Sequence, residues 1–294
     1  MRTLEVVSRG APSNWLAQYK KKVTSQAGED GVIEKIFQIL PASAERWCVE
    51  FGAGDGQLVS NTWSLLNQGG WHGVLIEAGR EPFAKLGERY RDKPRVTCLQ
   101  RMVDFTGPDS LDQILAQTAI AKDFDLLSID IDGNDYHIWE SLNLYRPRVV
   151  LIEYNPTIPA DVRFIQDQHM GVNQGSSLLA LAGLGKQKGY QLVATTELNA
   201  FFVREADFPL FDIKDNQVSV MYDENVHGTK IFQLYDGTWA LAGCRKMLWH
   251  EKSELNEEKI QVLPPHRRGF AGFLPAEPRA ASWLQRLRSV FARR

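Results

Sequence analysis

Four acids stand where short apolar runs end: Glu50 after Trp47-Cys48-Val49, Glu77 after Gly73-Val74-Leu75-Ile76, Asp130 after Leu126-Leu127-Ser128-Ile129, and Glu153 after Val149-Val150-Leu151-Ile152. The first run breaks into three alternating glycines, Gly52, Gly54 and Gly56. Glycine has no Cβ, so a ligand can lie directly against the backbone of such a turn. Free N–H groups at a following helix start bind anionic or polar ligand parts. Glu77 lies 25 residues beyond Gly52, where a nucleotide-binding unit places an acid on ribose hydroxyls. A carboxylate suits a diol because it accepts hydrogen bonds and donates none. The spacing here is Gly-x-Gly-x-Gly, and Gln57 occupies the place of the third glycine of the dinucleotide fingerprint, which argues mildly against NAD. The plainer readings are a glycine turn without a ligand and a surface acid.

The third and fourth runs deliver a denser set. Asp130-Ile131-Asp132-Gly133-Asn134-Asp135 follows one, and Glu153-Tyr154-Asn155-Pro156 the other. Carboxylates near a reacting hydroxyl can serve as its base. Oxygen ligands from two adjacent strand ends also suit a hard cation, Mg²⁺ or a similar ion, held by Asp130 or Asp132 with Glu153 and Asn155. Against this stands a simple turn at Asp132-Gly133-Asn134 with Asp135 capping a helix. His137 and His169 are further candidates for the base, although a lone histidine is more often structural.

The elements that must position these residues alternate. Val32, Ile33, Ile36, Phe37, Ile39 and Leu40 recur at helical spacing and Pro41 stops the run. Glu29 and Asp30 suit the positive end of that helix, and its polar start, Ser25 and Gln26, is placed to reach over a ligand. Strands are expected near 47–51, 73–77, 95–99, 124–130 and 148–153, with helices near 82–90, 109–117 and 136–142 between them. The last two strands are almost wholly apolar, as strands covered on both faces are. Ligands in open α/β sheets sit at the C-terminal strand edge, where the acids fall. Residues 158–174 form a long irregular stretch of the kind that often makes lids or substrate loops. A helix near 176–188 leads to strands at 190–195 and 200–204 around a polar turn. The expected fold is α/β, a mostly parallel sheet closed by an antiparallel terminal hairpin.

The stretch from Glu50 to Gly56 resembles motif I of class I S-adenosylmethionine-dependent methyltransferases. That resemblance implies that Glu50, with Gly52, Gly54, Gly56 and Asn61, lies on the cofactor, and that Asp104 bonds the adenine amino group. Residues 25 to 205 together are similar to FkbM-type methyltransferases, through Ser25-Gln26-x-Gly28-Glu29-Asp30-Gly31, Ser60-Asn61-Thr62, Ile76-Glu77, Asp130 to Asp135, and Ile152-Glu153-Tyr154-Asn155. The resemblance implies a Rossmann-like methyltransferase sheet, S-adenosyl-L-methionine as cofactor, and O-methylation of a small molecule, sugar or glycan. One departure is that many of those enzymes carry Glu-Gly after the fourth strand, where this chain has Asp132-Gly133. Cofactor contacts are expected from Gln26, Glu50, Gly52, Gly54, Gly56, Asn61, Glu77, Asp104 and Asp130, and catalysis from Asp130, His137 or His169. The rival readings are a non-catalytic nucleotide-binding or assembly module of the same fold and an NAD-dependent oxidoreductase.

The whole divides into an N-terminal arm (1–24), the core (25–205), a small β-containing extension (206–263) and a basic linker with an amphipathic C-terminal helix (264–294). In the extension, two apolar runs flank Asp236-Gly237, a hairpin signal. From 264 onward there are seven arginines and one acid, Glu277, so 279–294 fits either a peripheral contact with an anionic membrane or packing on protein. A net charge of −2 over 294 residues gives no reason to expect nucleic acid. Three scattered cysteines suggest neither a zinc site nor a disulfide framework. No signal-peptide core or membrane-length apolar run is present, so a cytoplasmic protein is expected, peripheral at the inner membrane face if 279–294 binds lipid, and a homodimer is one expected state.

Overall fold

A computed structural model describes residues 4, 6, 7, 10–223 and 226–269. The amphipathic segment 279–294 lies outside the described residues.

Residues 7–228 form one compact unit. Its elements in order are α1 (Glu29–Ile39), β1 (Trp47–Phe51), α2 (Trp63–Asn67), β2 (His72–Glu77), α3 (Arg80–Arg89), β3 (Val96–Gln100), α4 (Leu111–Leu115), β4 (Leu126–Ile129), α5 (Asp135–Ser141), β5 (Val149–Glu153), α6 (Leu178–Gln187), β6 (Tyr190–Thr195), β7 (Asn199–Arg204) and α7 (Val218–Met221). The strands form a seven-stranded sheet in the order β3-β2-β1-β4-β5-β7-β6. Strands β1 to β5 run parallel, and β7 enters antiparallel between β5 and β6. This is a Rossmann-like class I methyltransferase fold, with further antiparallel hairpins beyond it.

Sequence explains why the central strands take their places. All four residues of β4 and the first four of β5 are buried, and their Leu, Ile and Val side chains fill both faces of the sheet. α1 ends because Leu40 precedes Pro41, which forces Leu40 into the extended conformation seen there. α6 begins where the Ser177 hydroxyl accepts the Ala180 N–H, a cap that satisfies one of the helix's free donors.

The core reaches beyond the span expected from sequence at both ends. Leu16, placed in the N-terminal arm, is fully buried, and the Trp15 ring nitrogen donates to the Phe211 carbonyl at 3.1 Å. Asn14 donates to the Thr195 carbonyl and hydroxyl oxygens, both at 2.9 Å. Residues placed in the extension, Phe211, Val218 and Met221, are likewise buried in the main core.

A second unit comprises 1–6 and 229–294. Its described part holds two separate two-stranded sheets, β8 (Thr229–Gln233) with β9 (Trp239–Gly243), and β10 (Lys246–Met247) with β11 (His250–Glu254). The Gln261 side chain fixes the first hairpin from the side, accepting the Trp239 N–H and donating to the Trp239 carbonyl. No helix among the described residues is long and apolar enough to cross a membrane.

Candidate active site

The C-terminal ends of β1, β2, β4 and β5 carry the acids singled out from sequence, and the glycine turn after β1 lies among them. Gly52 has φ +73°, and a Cβ there would overlap the carbonyl oxygen of Asp130. Only glycine lets the turn pass so close to the end of β4. Gly54, at φ +54°, is different: a Cβ on it would meet no protein atom within 4 Å. Its outer face is therefore open. Gly56 packs the turn down on Leu86 and Tyr90 of the α3 region.

Glu77, at the end of β2, faces this turn. Its Oε2 accepts the Gly54 N–H at 2.8 Å and its Oε1 accepts the Gly79 N–H at 2.6 Å. A carboxylate has about four acceptor positions, so each oxygen keeps one free. The carboxylate is thus held still beside an uncovered backbone, with an acceptor pair ready for a diol.

Glu50 differs from its expected role on the cofactor. Its side chain is buried and turned to the loop after the glycines. It accepts from the Ser60 hydroxyl at 2.7 Å, the Thr62 hydroxyl at 2.6 Å and the Asn61 N–H at 2.7 Å. Burial lifts its carboxyl above the usual range, against the pull of those three donors. Its work is to fix the 60–62 loop. That loop in turn presents Asn61, whose side-chain nitrogen donates to the Ser128 hydroxyl at 3.1 Å, while its Oδ1 is buried without a partner. An orphaned buried acceptor is costly unless a ligand donates to it, and the α-ammonium of an amino acid moiety is such a donor. Asp104 lies just past β3, its Oδ1 engaged by the Phe105 N–H at 2.6 Å. Gln26 is exposed in the loop before α1. That loop is tied down by Asp30, whose Oδ2 accepts the N–H groups of Val23, Thr24 and Ser25, and by the Thr24 hydroxyl donating to the Ser60 carbonyl.

After β4 the chain makes the turn expected at 132–134. Asp132 adopts φ +56°, and Asp135 reaches back to accept the Ile131 and Gly133 N–H groups at 3.0 and 2.9 Å. The turn leaves Asp130 and Asp132 beside Glu153 of β5. One carboxylate oxygen from each lies within 4.8 Å of the other two. Burial, then Asp135, Asp132, Glu50 and Glu29, raise Asp130 well above the carboxylate range. Burial, then Asp130, Asp135 and Asp132, push Glu153 up to about 10.

Asn155 differs from its expected role. Asn155 was expected as a cation ligand, but its Oδ1 accepts both the N–H and the hydroxyl of Thr157, at 2.9 and 2.6 Å. That carbonyl oxygen is committed to an Asx turn. His137, a candidate base, has a buried ring whose Nε2 lies 2.8 Å from the Gln166 carbonyl, which makes that nitrogen a donor and leaves Nδ1 without a hydrogen-bond partner. Its Nδ1 is 3.8 Å from Glu140, too far for a hydrogen bond. His169 is exposed, and its Nδ1 accepts the Gly171 N–H at 3.0 Å.

The irregular stretch 158–174 contains no helix or strand, but it is not loose. Gln166, which gave no sequence signal, organises it. Its side-chain oxygen accepts the Gln174 and Gly175 N–H groups and its nitrogen donates to the Val172 carbonyl. Asn134 joins it to the β4 turn by donating to the His169 and Val172 carbonyls. Glu29 is a second organiser. It accepts from the Ala27 N–H, the Thr196 hydroxyl and the Asn199 side chain, linking the segment before α1 to the β6–β7 hairpin.

No protein-family model matches the sequence, and no curated protein matches it. Solved structures similar in shape are the CMeT domain of the citrinin polyketide synthase (13% identity, 60% of this chain and 50% of that chain, TM-score 0.42), the N-terminal domain of EvdMO1 with SAH bound (13%, 60% and 79%, 0.39), and a S-adenosylmethionine-dependent methyltransferase from Clostridium acetobutylicum ATCC 824 (10%, 60% and 90%, 0.38). This chain thus spans about half of the first of these. The fold rests on the strand order alone.

Proposed function

We propose that this protein is an S-adenosylmethionine-dependent methyltransferase of the FkbM type, acting on a hydroxyl of a small molecule, sugar or glycan. The observation that carries the reading is the pairing of Gly54 and Glu77: an uncovered backbone turn with a fixed acceptor pair beside it. S-adenosylmethionine supplies, when bound, a methyl group on a positively charged sulfur. Glu77 would hold the ribose hydroxyls, Asn61 the methionine ammonium, and Asp104 the adenine amino group. Gln26 stands at the loop over this region. Asp130 and Glu153 lie at the neighbouring strand ends, and either, in its ionised form, would take the acceptor's proton; a general base within reach of the hydroxyl contributes about 10²–10⁴-fold.

Calorimetric titration with S-adenosylmethionine, S-adenosylhomocysteine and NADH tests this. Binding of the first two and not the third is expected, with Glu77→Ala weakening both roughly 10- to 100-fold, as for loss of hydrogen bonds to a charged group. Binding of NADH alone, or no effect of Glu77→Ala, would overturn the reading. Cofactor binding with no methyl uptake by any fraction of a cell extract incubated with labelled donor would favour the non-catalytic module.

A further inference from the structure

The other edge of the sheet carries a second concentration of charge. Asp123 precedes β4, Arg146 precedes β5 and Gly189 precedes β6, while Arg204 ends β7, which runs antiparallel to β5 and β6. All four therefore fall at the edge away from Asp130 and Glu153. The five residues of β5 separate the two edges, roughly 16 Å of extended chain. With Glu205 and Ala206 the four line a hollow of about 570 Å³, a volume within the range of small-molecule sites. None of these residues belongs to the candidate active site.

Backbone oxygens, and not acids, hold the two arginines at this hollow. Arg204 donates through Nε to the Pro147 carbonyl at 3.3 Å and through a terminal nitrogen to the Arg146 carbonyl. The Tyr190 hydroxyl donates to the same Pro147 carbonyl at 2.7 Å. The Arg146 side chain reaches the Lys188 carbonyl at 3.5 Å. It lies over Gly189, where a Cβ would come within 3.1 Å of the guanidinium. A guanidinium has five N–H donors, so most of them are unspent on these carbonyls. Among the described residues, no ion pair joins Arg146 or Arg204 to an acid, although Asp123 and Glu205 line the same hollow. Two cations and two anions thus border one space without neutralising one another.

We propose that this hollow binds a small phosphorylated molecule, with its phosphate on Arg146 and Arg204 and its hydroxyl or amino groups on Asp123 and Glu205. Guanidinium groups take phosphate oxygens in pairs, a geometry that lysine lacks. A bare phosphate has no donor to offer the two acids and is repelled by them. A ligand that carries donors beside its phosphate turns those acids from repulsive to attractive. The four charged side chains sum to zero, which suits a compact ligand with an anionic end and a donor end. The site shares no residue with the cofactor region, so the inference does not rest on the methyltransferase reading.

Calorimetric titration of the full chain at pH 7 with D-glucosamine 6-phosphate, D-glucosamine and inorganic phosphate tests this. One equivalent of D-glucosamine 6-phosphate is expected to bind, at least tenfold more tightly than either fragment. Arg146→Gln is expected to weaken it roughly tenfold, the loss of hydrogen bonds to a charged group. Glu205→Gln is expected to weaken the sugar phosphate while leaving inorganic phosphate no weaker. Both side chains are exposed, so an unchanged thermal midpoint in each variant reports that it is folded. Glu77→Ala is expected to leave the binding of D-glucosamine 6-phosphate unchanged. No binding, inorganic phosphate bound as tightly as the sugar phosphate, or binding that neither Arg146→Gln nor Glu205→Gln weakens overturns the proposal. Loss of binding in Glu77→Ala places the ligand at the other edge and overturns it too. The titrations need no cofactor, so a failure to bind S-adenosylmethionine strikes the methyltransferase reading and leaves this one standing, and the reverse holds.

Discussion

Raising the pH is expected to loosen the ligand-free protein, and Glu153 is expected to account for the effect. Burial, then Asp130, Asp135 and Asp132, move its carboxyl from 4.5 up to about 10. The folded value lies above the unfolded one. The native state therefore keeps a proton that the unfolded chain has already released, and the contribution to stability is complete below about pH 4.5 and declines as pH rises toward 10. One excess native proton gives a slope of about 1.4 kcal/mol per pH unit. Between pH 6 and pH 8 that amounts to about 3 kcal/mol. For a chain of this size each kcal/mol moves the midpoint by roughly 2–4 °C, so Tm is expected to fall roughly 5–10 °C more in the wild type than in Glu153→Gln. Thermal scans by circular dichroism at pH 6, 7 and 8 in EDTA measure this difference. The six histidines are common to both proteins, so their titration cancels in it. Parallel Tm lines for the two proteins would refute the argument that Glu153 is half-buried among carboxylates without a compensating cation.

Other consequences are simpler to check. Gly54→Ala is expected to cost only about 1–2 kcal/mol, the strain of a left-handed alanine, because its Cβ meets no protein atom, yet to reduce S-adenosylmethionine affinity sharply in calorimetry. Gly52→Ala, whose Cβ would overlap the Asp130 carbonyl, is expected to cost about 3 kcal/mol or more and to show in the unfolding midpoint. Gln166→Ala removes three hydrogen bonds that hold 172–175, so limited proteolysis is expected to cut there first. Flotation with anionic vesicles of the chain with and without 279–294 separates the two readings of that segment: a loss on deletion supports the membrane contact, and equal flotation removes it.

The parts of the fold that were legible in the sequence share a cause. β4 and β5 are short runs of Leu, Ile and Val buried on both faces, and that continuity is visible in one dimension. The place of Glu77 at the end of β2, beside the glycine turn, was legible because a fixed distance separates such a turn from the acid on the next strand. What was hidden depends on contacts between distant residues. Nothing local distinguishes a Glu50 that faces a ligand from one that binds Ser60, Asn61 and Thr62. Asn199 matters only because β7 turns back beside β5, and Gln166 only because the 166–175 loop folds on its side chain. Leu16 was missed because a single buried leucine in a 3₁₀ turn has no period to detect. Asn155 misled because its type suits a cation while its neighbour Thr157 had already claimed it.

The bond between the Gly54 N–H and Glu77 ties two parts of the chain into one functional inheritance. Asparagine or aspartate at 77 would fall short of the amide, and glutamine would set an NH₂ against one of two backbone N–H groups that both seek an acceptor. Altering the acid alone would therefore cost the loop its own brace. Glu77 has a structural reason to persist whether or not a ligand binds beside it, so its presence in a relative of this chain would not by itself report catalysis.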